Sequence, residues 1–283
     1  MLGSAVIKVF EKIENVKIHA TYREKNKLKF IKALNKKTNF IKFDIEKDSL
    51  SSKFKKKNYD VIINCAGVIK PYIKEKDNLS INRAIKINSI FPHDLYNYFK
   101  NKKIFQIATD CTYDGNKGNY IEESKHNPTD EYGKTKSLGE VFGNNFYNLR
   151  CSIIGKEIHG KNSFLEWVLS QNKKKNTING FVNHKWNGLT TDTYAELIKT
   201  IILKEIKIPT KLHLIPKDKV SKYVLVKNII QKFNLDNILL LKSNNQPKCN
   251  RDLSTSFQDL NLKIWKKSKF KKQLTIKEMI SNL

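Results

Sequence analysis

The sequence predicts an α/β fold: a doubly wound parallel sheet followed by a smaller α/β lobe. Two observations carry this. From Val16 to Cys151, short apolar runs alternate with segments of helical periodicity, the rhythm of strand–helix–strand units with parallel strands. The runs also end at polar or glycine-bearing positions (Arg23, Asp44, Asn64 to Gly67, Thr109). In open parallel sheets, ligands bind beyond the carboxyl ends of the strands, where these residues fall.

In chain order, residues 4–14 place Val6, Ile7, Val9, Phe10 and Ile13 at helical spacing, and Val16–Ala20 alternates as a strand leading to Thr21-Tyr22-Arg23. A helix is expected over Asn26–Leu34, a strand over Asn39–Phe43 ending at Asp44, and a strand over Tyr59–Cys65 followed by Ala66-Gly67. A long helix over Ser80–Lys100 should break or kink at Pro92, because proline lacks an amide donor and crowds the preceding turn. A strand begins at Ile104, a helix carries Tyr132, and Asn148–Cys151 closes the series. Beyond it the pattern loosens. Helices are expected over Ser163–Ser170, Thr193–Leu203, Val220–Phe233 and Ile276–Leu283, with a strand over Lys211–Ile215.

Composition narrows the function. The chain has 283 residues, 39% hydrophobic, with a formal charge of +27, so a globular core is expected rather than disorder. The excess lysine is spread along the chain instead of forming a patch, which argues against nucleic acid as the main partner. A positive field still helps to gather anionic substrates such as nucleotide diphosphates. Only four of the 54 basic residues are arginine (Arg23, Arg83, Arg150, Arg251), and each is a candidate for bidentate or stacking work that lysine cannot do. No apolar run approaches a membrane span and no signal-peptide core follows Met1. Cys65, Cys111, Cys151 and Cys249 show neither CxxC nor His pairing, so reduced thiols in a cytoplasmic protein are expected. His19, His93 and His213 read as packed or solvated, and no spacing suits a metal.

The chemical centre lies between Ile104 and Glu140. An apolar strand ends in Thr109-Asp110, and Pro128-Thr129-Asp130 opens a helix in which Tyr132 and Lys136 share a face. A hydroxyl, a phenol and an ammonium so gathered can move a proton to or from a carbonyl or alcohol oxygen.

At these residues the chain resembles the extended short-chain dehydrogenase/reductases, and among them the dTDP-4-dehydrorhamnose reductase-like group. The resemblance rests on Thr109-Asp110-Cys111-Thr112-Tyr113-Asp114-Gly115, Tyr132-Gly133-Lys134-Thr135-Lys136, Asn64-Cys65-Ala66-Gly67 and Leu149–Gly155, and runs from Met1 to about Phe257. It implies a Rossmann-like dinucleotide-binding region over 1–152 and a substrate lobe over 153–283, packed as one unit. It further implies NADPH-dependent reduction of a nucleotide-linked 4-keto-6-deoxysugar. Tyr132 would exchange the proton, Lys136 would lower the phenol's pKa and contact the nicotinamide ribose, Thr109 would bond the substrate oxygen, and Asn88 would hold a relay water. Cofactor residues would be Gly3, Arg23, Asp44, Asn64, Cys65, Ala66, Gly67 and Lys136, with Arg23 suited to a 2′-phosphate and so to NADP(H). Asp44 could equally serve as a helix N-cap. Lys70, Trp186, Asn187, Gly188 and Arg251 are substrate candidates, Trp186 being as readily core. A homodimer is a candidate assembly. The alternatives are a UDP-sugar reductase, a sugar-nucleotide epimerase or an inactive cofactor-binding regulatory subunit.

The chain departs from this pattern at its start. The family's first strand and its G-x-x-G-x-x-G turn have no counterpart before Gly3, which matches only the last glycine. A start placed too far downstream, or a fragment, is expected over a shortened inactive protein or completion by another chain. The latter two must tolerate unpaired backbone groups in a buried sheet.

Overall fold

The computed structural model describes residues 1–34, 37–55 and 57–283. The first half alternates helix and strand: α1 (Leu2–Phe10), β1 (His19–Tyr22), α2 (Lys25–Leu34), β2 (Asn39–Lys42), α3 (Leu50–Phe54), β3 (Val61–Asn64), α4 (Asn78–Ala84), α5 (Phe91–Tyr98), β4 (Lys103–Ala108), α6 (Glu131–Leu138) and β5 (Phe146–Arg150). The second half comprises β6 (Ile153–Ile154), α7 (Phe164–Lys174), β7 (Thr177–Phe181), β8 (His184–Trp186), β9 (Leu189–Thr190), α8 (Thr191–Leu203), β10 (Lys211–His213), β11 (Val220–Ser221), α9 (Lys222–Phe233), β12 (Leu239–Ser243), β13 (Cys249–Asn250), α10 (Gln258–Lys267) and α11 (Ile276–Ser281).

The expected parallel architecture is present, in two pieces. Strands run β10-β5-β4-β3 in one parallel sheet, while β1 and β2 pair with each other in a second. A phenylalanine-rich cluster joins the pieces: Phe43, just after β2, meets Phe54 and Phe91, with Leu95, Ile104 and Phe146 behind them. His19 Nδ1 and the Tyr59 hydroxyl lie 3.0 Å apart across the same junction. The main core runs from α1 through β5, α8, α9 and α10 to α11, so both halves share one apolar interior. α1 packs on α8, burying Leu2, Ala5, Val6, Val9 and Phe10, the face that its helical spacing creates. No helix among the described residues is long and apolar enough to cross a membrane.

The long helix does not break at Pro92. It relaxes one turn earlier, as Ile85–Ile90 widen into a π-helical turn and Pro92 enters the first turn of α5, where its missing donor costs nothing. The widening places the Asn88 carbonyl against α6. A Cβ on Gly139 would lie 1.8 Å from that oxygen, so α6 can end there only on a residue without a side chain. Val220 and Ser221, read as helical from sequence, instead form a short strand on β8, and Ser221 then caps α9.

Beneath the sheet edge lies a buried ionic joint. Arg150, at the end of β5, donates from Nε and Nη2 to both oxygens of Glu140 at 2.7 and 2.6 Å, and both side chains are 1% exposed. Its Nη1 reaches the Tyr113 hydroxyl, the Glu122 carbonyl and His213 Nε2 at 3.1 to 3.2 Å. His213 therefore accepts at Nε2 and donates from Nδ1 to the Ser254 carbonyl, and burial holds its pKa down to about 4, keeping it neutral. Glu122 accepts from the His213 amide, the Thr255 hydroxyl and the Ser256 amide. Strand ends, the loop before α6 and the segment after β13 thus meet on one guanidinium.

Replacing Arg150 by methionine should lower stability by about 3–5 kcal/mol, because the Glu140 carboxylate is left buried and unpaired. Urea unfolding checks this, and Arg150→Met combined with Glu140→Leu should recover much of the loss.

Candidate active site

β4 ends at Ala108, and Thr109 turns the chain into a 3₁₀ turn over Asp110–Thr112. The Thr109 hydroxyl accepts from the Cys111 amide at 3.2 Å and donates to Asp110 Oδ1 at 3.1 Å. α6 starts at the N-cap Asp130, whose Oδ1 accepts from the Gly133 amide at 2.8 Å while Oδ2 pairs with Lys70 Nζ at 2.9 Å. Gly133 is obligatory here: a Cβ on it would lie 2.2 Å from the Cys111 carbonyl oxygen. That close approach sets Tyr132 against the Thr109–Cys111 turn. The Thr109 side chain, Asp110 and Cys111 all act on its phenol.

The sequence places Tyr132 and Lys136 on one face, and the structure brings them to the sheet edge with Thr109. The electrostatics differ from the expectation that Lys136 lowers the phenol's pKa. Burial drives the Tyr132 phenol well above its ordinary range, and the nearby Cys111, Asp110 and Asp130 push the same way. The Lys136 ammonium instead donates to the Ile107 carbonyl at 2.7 Å. Burial brings its pKa down to about 8, with Glu140 opposing. The site thus holds a firmly protonated phenol beside an amine that titrates near neutrality.

Asn88 is buried and fully engaged by protein. Its Oδ1 accepts from the Val68 amide (2.8 Å), and its Nδ2 donates to the Val68 carbonyl (3.0 Å) and the Thr135 hydroxyl (3.1 Å). These bonds clamp the loop after β3 to α6. Asn64 orders the start of that loop: Oδ1 accepts from the Ala66 amide, and Nδ2 donates to Gln106 Oε1 at 2.7 Å across the sheet. Cys65 and Ala66 are half-buried there and Gly67 is exposed, leaving its backbone approachable. Burial pushes the Cys65 thiol up to about 12, so it is no nucleophile.

Other candidates have partners that their sequence positions do not reveal. Gly3 faces Cys65, where a Cβ would sit at an ordinary 3.6 Å, so packing at this position does not demand glycine. Asp44 is not a helix cap. Its Oδ1 accepts from the Glu46 amide in a turn, and Ser49 caps α3. Arg23 lies at the end of β1, paired with Glu24 and, at 3.8 Å, with Glu46, which Arg83 also grips at 2.9 Å. Lys70 reaches the α6 cap, as described. Trp186 is core, its Nε1 bonding the Ser152 hydroxyl. Asn187 exchanges two hydrogen bonds with the Leu253 backbone, and a Cβ on Gly188 would lie 2.4 Å from the Ser152 carbonyl. These three form a packing joint. Arg251 faces the site: Nε donates to the Tyr113 carbonyl (2.8 Å), Nη2 to the Thr129 hydroxyl (3.2 Å), and Nη1 lies 4.0 Å from the Cys111 sulfur.

Sequence reasoning singled out neither Asp110 nor Lys222, which act electrostatically on each other at this edge. Burial raises the pKa of the Asp110 carboxyl, while Lys222 and Arg251 pull it back down. The Thr-Asp pair at a strand end was a signal for Asp110. For Lys222 there was none, as one lysine among many.

Fold and site together define a Rossmann-like protein of the short-chain dehydrogenase/reductase type. The chain matches the family described as RmlD substrate binding domain over residues 1–278, and it belongs to that family. Curated protein sequences give no match. Among solved structures it is similar to a dTDP-4-dehydrorhamnose reductase from Clostridium acetobutylicum (TM-score 0.69, 21% identity, 94% of this chain and 98% of that one). It is also similar to dTDP-4-dehydrorhamnose reductase from Bacillus anthracis in complex with NADP (TM-score 0.69, 18% identity, 94% and 98%). UDP-glucuronic acid 4-epimerase from Bacillus cereus in complex with NAD and UDP-glucuronic acid is similar as well (TM-score 0.75, 15% identity, 99% and 93%).

The Lys136 ammonium has its pKa at about 8 in the fold against 10.5 for the free side chain. Between these values the unfolded chain binds the extra proton, so this group's contribution to stability rises with pH through that window. Relative to Lys136→Met, the wild type should therefore be disfavoured most at pH 7 and gain steadily toward pH 10. Urea midpoints for the two proteins at several pH values check this.

Proposed function

We propose that this chain reduces a nucleotide-linked 4-keto-6-deoxysugar with NADPH, as a dTDP-4-dehydrorhamnose reductase-like enzyme. The observation that carries the reading is the convergence of Thr109, Tyr132 and Lys136 at the carboxyl edge of the parallel sheet. Family membership and likeness to a structure solved with NADP support it.

The residues present suit a nicotinamide dinucleotide. Gly67 offers exposed backbone at the sheet edge, the first amides of α1 have no side-chain cap, and Arg23 stands where a fold of this type reads the ribose. When bound, the cofactor supplies a hydride. Tyr132, kept protonated by its surroundings, donates a proton to the sugar oxygen as that oxygen gains charge. Thr109 orients the same oxygen through its hydroxyl. Lys136, anchored on the Ile107 carbonyl, places positive charge behind the phenol and offers donors to the ribose. Arg251, whose Nη1 lies 4.0 Å from the Cys111 sulfur and meets no oxygen among the described residues, takes the diphosphate.

NADPH oxidation measured with dTDP- and UDP-linked 4-ketosugars tests the reading. Turnover is expected with at least one of them, and its absence with both overturns the reading. Tyr132→Phe should lower kcat by about a hundredfold or more with the fold intact; full activity in that variant would remove Tyr132 from the mechanism. Arg23→Gln should weaken NADPH binding about tenfold and leave NADH binding unchanged. Fluorescence titration with each dinucleotide reads that ratio.

A further inference from the structure

Lys222 opens α9 immediately after its N-cap Ser221. Three costs fall on this position. A cation at a helix N-terminus opposes the helix dipole, and no acidic residue in the first turn of α9 offsets it. The side chain lies in enclosed surroundings that disfavour the charged ammonium. Among the described residues, no hydrogen bond or ion pair engages that ammonium. It lies over the rings of Phe164 at 4.9 Å and Trp186 at 5.6 Å, which are its close partners. A lysine so placed weakens the fold unless something else uses its charge.

Its position says what that is. In the β11-β8-β13 sheet, Val220 pairs with Trp186 on one side of β8 and Asn250 pairs with Lys185 on the other. Lys222 follows the first strand and Arg251 follows the second, so the two cations flank β8 in the same small sheet, with the Lys222 ammonium over the Trp186 ring. Both act electrostatically on Asp110 and Cys111, the turn that faces Tyr132. Arg251 already fixes that turn through the Tyr113 carbonyl. Lys222 adds positive charge beside it.

We propose that Lys222 is a substrate-contacting cation that, with Arg251, receives the diphosphate of the nucleotide sugar where the second lobe faces the Thr109–Tyr132 edge. The proposal rests on the nucleotide-sugar reading above and adds a residue to it. The aromatic rings hold the aliphatic stem and aim the ammonium, while Asp110 partly balances the charge until the diphosphate takes over. Arginine and lysine then divide the work: a planar fork fixed by the protein, and a point charge that follows the phosphates.

The test uses titration calorimetry with dTDP and with UDP on the wild type, Lys222→Met and Lys222→Arg, alongside thermal melting and NADPH binding. Methionine keeps the stem over the rings and removes the charge. Lys222→Met should bind the nucleoside diphosphate about tenfold to a hundredfold more weakly, bind NADPH as the wild type does, and melt at the same or a higher temperature. Lys222→Arg should restore most of the affinity. Unchanged dTDP and UDP affinity in Lys222→Met overturns the proposal, as does a wild type that binds neither. A lower melting point with equal losses for dTDP and NADPH also overturns it, since that marks a structural role. Binding through Lys222 without ketosugar reduction would remove the reductase reading and keep the cation site. Reduction with unchanged binding in Lys222→Met would do the reverse.

Discussion

The fold turns on the buried pair of Arg150 and Glu140. An ion pair at 1% exposure is costly to dehydrate, and it is tolerable because every donor of the guanidinium that points inward has an acceptor. Those acceptors come from different parts of the chain. Glu140 follows α6, Tyr113 and Glu122 bracket the loop between β4 and α6, and His213 ends β10. Moving any of them would leave a polar group buried and unpaired, so the joint fixes where α6 and the loop before it lie. Tyr132 and Lys136 ride on α6. The placement of these two side chains is inherited from an interaction elsewhere in the fold.

A second constraint acts from the other side of α6. Gly133 and Gly139 bring this helix against the Cys111 and Asn88 carbonyls, and Asn88 ties the loop after β3 to Thr135. The π-helical turn at Ile85–Ile90 is what presents Asn88 there. Wide turns of this kind often stand at functional sites because they re-aim a side chain without ending the helix. The face of α6 that carries Tyr132 and Lys136 is therefore held between a polar joint on one side and backbone contact on the other.

Burial shifts the two groups of α6 in opposite senses, raising the Tyr132 pKa and lowering that of Lys136 to about 8. Arg251 and Lys222 place two cations near the buried Asp110, while the Trp186–Asn187–Gly188 segment is spent on packing.

The sequence by itself determined the α/β class, the strand and helix order of the first half, and the grouping of Thr109, Tyr132 and Lys136. These depend on local periodicity and on short spacings along one strand end and one helix. It also marked arginine as the residue to watch, and Arg150 and Arg83 both proved to grip carboxylates. Only the tertiary structure decided how each group is used. Asn88, Asn64, Lys70 and Asn187 carry polar atoms whose partners lie tens of residues away. The pKa of Tyr132 depends on how deeply α6 sinks against Cys111, which no spacing encodes. Lys222 is one lysine among many until folding sets it at a helix start, over two rings and within the field of Asp110. Burial and partnership are properties of contacts between distant segments, so they become visible only when the chain has closed on itself.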